Sequence, residues 1–535
     1  MEQTRRDFLR FLGRTGVSAA GVSIIGPSVL LSACAEGGAA GLPFVPLMPS
    51  IQDDLLLPEG FNYHVIVRWE DAINDLEKFG SHNDFTAFMP LKEGDPTDGL
   101  LWVNHEYLKP ELVHRAWLEE KTLEQVETEI AEVGGSIIRI RKGDDGQWDL
   151  VKNDPLNRRF TGQTVIPFAW PEPIAGSNEA IGTLANCAGG ITPWGTILTC
   201  EENYDQFWGE REHGQEELSM QGYYGWDALG QRPPEHYGWV VEINPLTGEA
   251  KKLVALGRCM HEAATIHECE DGRVVAYTGD DTEDEHLYKF ISDEPGTLER
   301  GKLYVANIER GEWVSLQWDE QPILQEHFAN QTEVQVYMRK AAKLVGATPL
   351  ARPEDIEIDP KTGNVLVALT NNKPKGNYHG EILKIEEGDA DKRGLTFKAE
   401  TFLAGGPEMD FSCPDNMAFD AQGNLWFTSD ISGSSVGEGE YAPFGNNGLF
   451  FVPTTGEDAG KALRVAVAPM DAEFTGPTFA PDGETLFLCV QHPGETSESM
   501  EALTSHWPDG GNEMPRSSVV AIQGEAMKAI LGGKA

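Results

Sequence analysis

MAFDAQGNLWFTSD, residues 417–430, is a short apolar strand, a turn carrying Asp420, Gly423 and Asn424, and a second apolar strand. Asp, Asn and Gly favour tight β-connections because their side chains cap nearby amides or tolerate left-handed backbone. The pattern recurs in ATIHECEDGRVVAYTGDD (264–281), IEIDPKTGNVLVALTNN (356–372) and PTFAPDGETLFLCVQH (477–492). Two looser copies are NDFTAFMPLKEGDPTDGLLWVNHEY (83–107) and NCAGGITPWGTILTCEEN (186–203). Sixty-one residues separate Glu354 from Asp415, and 61 separate Asp415 from Gly476. A hairpin repeated at this period predicts an all-β, six-bladed propeller. A β-sandwich of paired hairpins is the competing arrangement, but it leaves the equal offsets without a cause. Asp71–Lys78, Leu118–Val133 and Glu333–Lys343 read as helical insertions between blades.

The residues before a hairpin's first strand and after its second lie at the same end. Here they are polar in every copy: Asn83 with Asn104–Glu106, Asn186 with Cys200–Glu202, and His261–Glu262 with Asp280–Asp281. Arg352–Asp355 with Asn371–Asn372, Asp415–Asn416 with Asp430, and Gln491–His492 continue the series. So many acids around one mouth cannot all stay ionised and unpaired. Multivalent cations such as Ca²⁺ or Fe³⁺ are the natural solution for oxygen-rich clusters. Asp359, Asp420 and Asp482 occupy the opposite turns and read as structural.

The chain opens with Thr4-Arg5-Arg6-Asp7-Phe8-Leu9 and a Gly/Ala/Ser/Val-rich stretch, which resembles a twin-arginine export signal. Leu31-Ser32-Ala33-Cys34 resembles a lipobox, so Cys34 is the expected lipidation site; an ordinary cleaved signal is the alternative. The expected organisation is a signal over 1–34, a flexible tether over 35–50 and one catalytic propeller over 51–535. A periplasmic or outer-membrane lipoprotein follows, exported by the twin-arginine machinery, monomeric, and touching the membrane only through its anchor. Eighty-six acidic against 42 basic side chains give a formal net charge of −44. That balance excludes nucleic acid as a partner, since phosphate backbones require basic patches.

TPWGTILTCEENYDQFWG (192–209) sets Cys200 directly against Glu201 and Glu202. Neighbouring carboxylates raise a thiol's pKa, so the thiol is either buried and inert or shares a strongly positive centre with them. Strand alternation lets one of the two glutamates turn inward, and Glu201 is favoured. Cys187, Cys259, Cys269, Cys413 and Cys489 read mostly as buried thiols without zinc spacing.

Taken together, GGITPWGTILTCEENYDQFWG (189–209), HEAAT (261–265), RPED (352–355), PDN (414–416) and VQHPGE (490–495) resemble the PhoX-type alkaline phosphatases. The resemblance runs from about Asn83 to Glu495. It implies a six-bladed propeller that hydrolyses phosphate monoesters at an iron–calcium cluster, Fe³⁺ and Ca²⁺, with iron held partly by a cysteine thiolate. On this resemblance Cys200 is the thiolate ligand, and Glu262, Asp281, Glu354 and Asp415 are metal-bridging carboxylates. Glu201 joins the metal ligands, Arg352 grips the phosphate, and Asn186 assists in binding substrate. Arg352, Cys200 and Glu354 form the expected catalytic set.

Each residue also has a plainer reading. Cys200 alone reads as a small buried hydrophobe, Glu262 and Glu354 as strand-end ion pairs, Arg352 as a partner for a blade-edge acid, and His492 as a turn stabiliser. The rival functions are a calcium-dependent lactonase or phosphotriesterase and a noncatalytic, lipid-anchored calcium-binding propeller. A thiolate and an arginine beside the cluster argue against a lone calcium, which needs neither.

Overall fold

Each hairpin is extended outward by further strands, giving six antiparallel sheets. The computed structural model describes residues 42–118 and 120–532. Blade 1 starts with Asn83–Pro90 and Asp98–His105, blade 2 with Asn186–Ile191 and Ile197–Glu201, and blade 3 with His261–Glu268 and Val274–Asp280. Blade 4 starts with Pro353–Ile358 and Val365–Leu369, blade 5 with Pro414–Phe419 and Leu425–Ser429, and blade 6 with Glu473–Phe479 and Leu486–Gln491. The first strand of every blade packs against the first strands of both neighbours, which closes a ring. Closure is locked by Asn62–Arg68, which pairs antiparallel with Ser518–Gln523 as the outermost strand of blade 6.

Because each sheet is sandwiched between two others, its strands are apolar on both faces. Every one of the six seams has its own buried cluster. Trp102 and Ile137 of blade 1 pack with Ile197 and Val241 of blade 2. Leu366 and Ile382 of blade 4 pack with Phe427 and Phe450 of blade 5. At the closing seam, the Phe487 ring lies 5.6 Å from Phe88 and 5.1 Å from Trp148. Gly476, at φ +55°, lets blades 6 and 1 approach: a Cβ there would lie 2.6 Å from both the Asp84 carbonyl oxygen and the Thr86 nitrogen.

The far turns behave as read. Asp420 accepts from the amides of Gln422 and Asn424 and from the Trp426 indole, and Asp482 accepts from Glu484 and Thr485. Asp71–Lys78 differs from its helical reading. Asn74 Oδ1 accepts from the amides of Leu76 (2.9 Å) and Glu77 (2.8 Å), a local side-chain turn that competes with helix. In the second insertion the helix spans Leu123–Glu132 behind a Thr122–Gln125 capping box. The third contains two helices, Gln331–Val336 and Met338–Leu344. Part of the stretch read as tether is anchored: Phe44 is buried against Phe61 and Phe451, and the Leu47 amide donates to Arg464 O at 2.9 Å. The leader, Cys34 and the tether up to residue 41 lie outside the described residues. No described helix is long and apolar enough to cross a membrane.

Phe487→Ala removes the ring that bridges the closing seam. It should lower unfolding free energy by about 3–5 kcal/mol, read as a reduced urea midpoint with an unchanged slope. A midpoint within error of the parent would mean that this seam does not hold the ring shut.

Candidate metal centre

Near one end of every first strand, two residues face one on the partner strand. These are β-bulges, which bend a strand and re-aim its side chains. The unpaired residues are Asp84–Phe85, Cys187–Ala188, Ala263–Ala264, Glu354–Asp355, Asp415–Asn416 and Gly476–Pro477. Upstream in five blades a non-glycine residue sits in the left-handed region: His82 (φ 45°), Ala185 (52°), Arg352 (56°), Cys413 (52°) and Asp471 (62°). Such backbone costs about 1–3 kcal/mol per residue and persists only where the surroundings enforce it. The enforcing contacts are hydrogen bonds to four of these carbonyls. His82 O, Ala185 O, Arg352 O and Cys413 O accept from the amides of Glu106 (3.1 Å), Glu202 (2.8 Å), Thr370 (3.1 Å) and Asp430 (2.9 Å). In blade 3 the Asp281 amide donates to Met260 O at 3.0 Å.

The result is two adjoining rings. Asp84, Cys187, Glu262, Glu354, Asp415 and Glu473 come from the first strands. Glu106, Glu202, Asp281, Asp430 and His492 come from the residues just past the second strands. All line one cavity of about 280 Å³, together with Arg352, Tyr107 and Glu495.

The electrostatics of this cavity are extreme. Burial, then the charges of Glu354 and Glu202, pushes the Glu262 carboxyl well above its usual range. Both of its oxygens are buried without a hydrogen-bond partner, as are one oxygen each of Asp84 and Asp281. Glu202 is raised by burial and by Glu106 and Asp281, and Glu106 by burial and Asp84. Burial and neighbouring acids hold Glu473 at about 8. The Cys187 thiol, raised by burial and then by Asp84 and Glu262, donates to Asp84 Oδ2 at 3.3 Å. Against these stand two cations. Arg352 Nη2 lies 2.6 Å from Asp281 and 2.8 Å from Glu354. Burial opposes a charged His492, but Glu495, Glu473 and Asp430 outweigh it and bring the imidazole to about 10.

The donor set fits a cation cluster. Ligand atoms of Asp84, Glu106 and Cys187 all lie within 4.8 Å of one another, as do those of Cys187, Glu202 and Glu262. The two groups share the thiol, so Cys187 stands at the junction of two adjacent candidate positions.

Of the residues singled out from sequence, Arg352, Glu354, Glu262, Asp281 and Asp415 meet in this cavity. Cys200, Glu201 and Asn186 do not line it, which corrects the expectation for them. Cys200 sits opposite the Cys187–Ala188 bulge and points into the seam between blades 2 and 3, among Leu198, Val240 and Ala264. Glu201 is paired in the core: its Oε1 lies 2.6 Å from Lys252 Nζ, and its Oε2 accepts from the amides of Gly238 and Trp239. Asn186 donates to Thr183 and Thr199 hydroxyls, at 2.8 and 2.9 Å. Glu202, rather than Glu201, turns inward. The residues that sequence reading passed over are Cys187, Asp84 and Glu473. Their signal was available: Asp84 and Cys187 are second in their strands, as are Glu262, Glu354 and Asp415.

A family model described as alkaline phosphatase PhoX matches residues 42–494. The structure of Pseudomonas fluorescens PhoX in complex with vanadate, a transition-state analogue, is similar at 30% identity and TM-score 0.80, covering 91% of this chain and 98% of that one. A Dyadobacter fermentans protein of unknown function aligns at 10% identity and TM-score 0.39, over 87% of this chain and 100% of its own. No match was found among curated proteins. A family match over most of the length, on the same six-bladed ring, makes the chain a member of the PhoX alkaline phosphatase family and a phosphoric monoester hydrolase.

Proposed function

We propose that the enzyme works at a mixed Fe³⁺ and Ca²⁺ centre held by the two rings of the mouth, outside the cytoplasm. The observation that carries this reading is Glu262, a buried carboxylate with neither oxygen partnered, set among acids that each raise the others. Ten carboxylates line the cavity beside one arginine and one histidine. Folding so many acids together without counter-charge would be prohibitive. Hard oxygen donors suit Ca²⁺, while a thiolate brings in a softer metal such as iron. Cys187, Glu202, Glu262, Asp84 and Glu106 would hold the cations, with Asp281, Glu354, Asp415 and Glu473 completing the charge balance. When bound, such cations supply Lewis acidity and charge neutralisation towards phosphoryl oxygens.

The protein's own contribution is to orient the ester. Arg352 Nη2 is anchored by Asp281 and Glu354, which fixes the guanidinium plane. Its Nη1, 3.6 Å from Asp430 Oδ2, and its Nε offer N–H groups to two nonbridging oxygens, the bidentate geometry for which arginine is suited. His492, held by Asp471 O at 2.9 Å and facing Glu473 Oε1 at 3.4 Å, adds a second positive group on the blade 6 wall. The substrates are small phosphate monoesters. The twin-arginine-type leader supports export by that route as a folded, metal-loaded protein. Lipidation at Cys34 would anchor a monomer at the periplasmic face of a membrane or at the cell surface.

Cys187→Ala should lose bound iron and drop kcat/KM for p-nitrophenyl phosphate by more than about 100-fold, beyond what outer-shell changes cost. Cys200→Ala should keep its metals and stay within about threefold of the parent, since its thiol only packs. The reverse pattern would return the ligand role to Cys200. Arg352→Ala should lower kcat/KM by about 10²–10³-fold with metal content intact.

Excess EGTA should abolish turnover, and added calcium should restore it. Full activity in EGTA would remove calcium from the reading.

A further inference from the structure

We propose that a second cavity, beside the mouth, receives the far end of the ester when its alcohol carries another negative charge. This cavity measures about 590 Å³, against about 280 Å³ for the catalytic one. It lies between two insertions, one following Ile197–Glu201 of blade 2 and one leading into Pro353–Ile358 of blade 4. Both insertions meet their strands at the mouth end, so the two cavities share a face of the ring. They also share a wall. Asn203 and Gln206 line the catalytic cavity and Tyr204 the other; Asp281 lines the first and Glu285 the second. Arg339 of the second cavity holds Asp280, one residue before Asp281, through Nε at 2.8 Å.

The charge of this cavity is the opposite of the mouth's. Arg211, Arg258, Arg339, Lys340 and Lys343 stand against three acids, Glu210, Glu212 and Glu285. That excess of bases occurs in a chain with 86 acids and 42 bases. Three of the cations are engaged within the fold: Arg258 with Glu210 at 3.1 Å, Arg339 with Asp280, and Lys343 with Glu285 at 2.5 Å. The other two keep donors to offer. Lys340 has no carboxylate within ion-pair distance among the described residues, and its ammonium donates to His213 Nδ1 at 3.0 Å. The His213 ring packs against Phe328 and Tyr337, with centroids 4.9 and 4.8 Å away, so the acceptor that holds Lys340 is itself fixed. Arg211 gives Nη1 to Glu235 at 2.6 Å, while its Nε is buried without a partner.

Tyr204, Tyr337, Met338 and Leu344 supply apolar surface around these groups. Apolar walls with a few placed cations suit an organic anion. One wall away from the phosphoryl group, such a site favours esters whose carbon chain ends in a carboxylate or a second phosphate. The acids of the mouth repel that end, and the neighbouring cations offset the repulsion.

The inference rests on the mouth holding the phosphoryl group, and the test separates the two. Initial rates of phosphate release by the metal-loaded enzyme would be compared on 6-phosphogluconate and sorbitol 6-phosphate. These are open six-carbon esters that end in a carboxylate and in an alcohol. Lys340→Glu, at an exposed position, should raise KM for 6-phosphogluconate about tenfold. It should leave kcat, and both constants for sorbitol 6-phosphate, within about twofold. Arg211→Gln should shift the same KM in the same direction. Lys373→Glu, on the same face but beside Tyr441, controls for the long-range field and should leave that KM within about twofold. An unchanged KM in Lys340→Glu, equal shifts on both esters, or an equal shift in Lys373→Glu would overturn the second site. Arg352→Ala should lose activity on both esters alike. If it does not, the mouth reading fails, whatever Lys340→Glu does.

Discussion

One backbone device, copied around the ring, sets everything at the mouth. A two-against-one bulge near one end of each first strand takes a residue out of the ladder and lets its side chain face the axis. In four blades a left-handed residue just upstream has its carbonyl tied to the amide that follows the second strand. That single hydrogen bond sets the position of two acids at once, as in Asp84 with Glu106 or Asp415 with Asp430. The strain is borne by seams that are apolar and continuous below it. The rings of acids are thus a property of the fold, present before any ligand arrives.

That arrangement has an energetic consequence. The seams stabilise the ring through buried aromatic and aliphatic surface, while the mouth works against it. Carboxylates whose pKa values are raised by burial and by one another oppose folding in their charged forms. A ligand that binds only the folded mouth stabilises it by mass action, so cation loading and folding are coupled. A protein of this kind is best assembled where its metals are supplied.

The propeller was legible because hairpin turns and apolar alternation are local signals. Four hairpins of one pattern, two looser copies and two equal offsets were enough to count blades, and the counted hairpins are the inner strands observed. The offsets were also more informative than they looked, because Glu354, Asp415 and Gly476 are the first residues of three bulges. What alternation could not supply was the bulge itself. Its place at a strand end, and the family resemblance, make Cys200 the candidate and leave Cys187 in an unremarkable Asn-Cys-Ala-Gly-Gly run. The slip at Cys187–Ala188 lies in the first strand and turns Cys187 into the cavity, while Cys200, on the unbulged second strand, follows Leu198 into the seam. Family resemblance located the right segments but could not, on a single sequence, choose between two cysteines 13 positions apart.

Glu201 and Glu202 make the same point in electrostatic terms. They are neighbours in the chain and both are buried. Glu201 faces the body of blade 2, where the fold meets its charge with Lys252 and two backbone amides. Burial alone would drive the Lys252 ammonium towards neutrality, and Glu201 is what holds it charged. Glu202 faces the axis, where its neighbours are Glu106 and Asp281, further acids that offer no counter-charge. Where a carboxylate is structural, this protein provides its partner from the chain. At Glu202 and Glu262 the chain supplies none, and the missing counter-charge marks the candidate site.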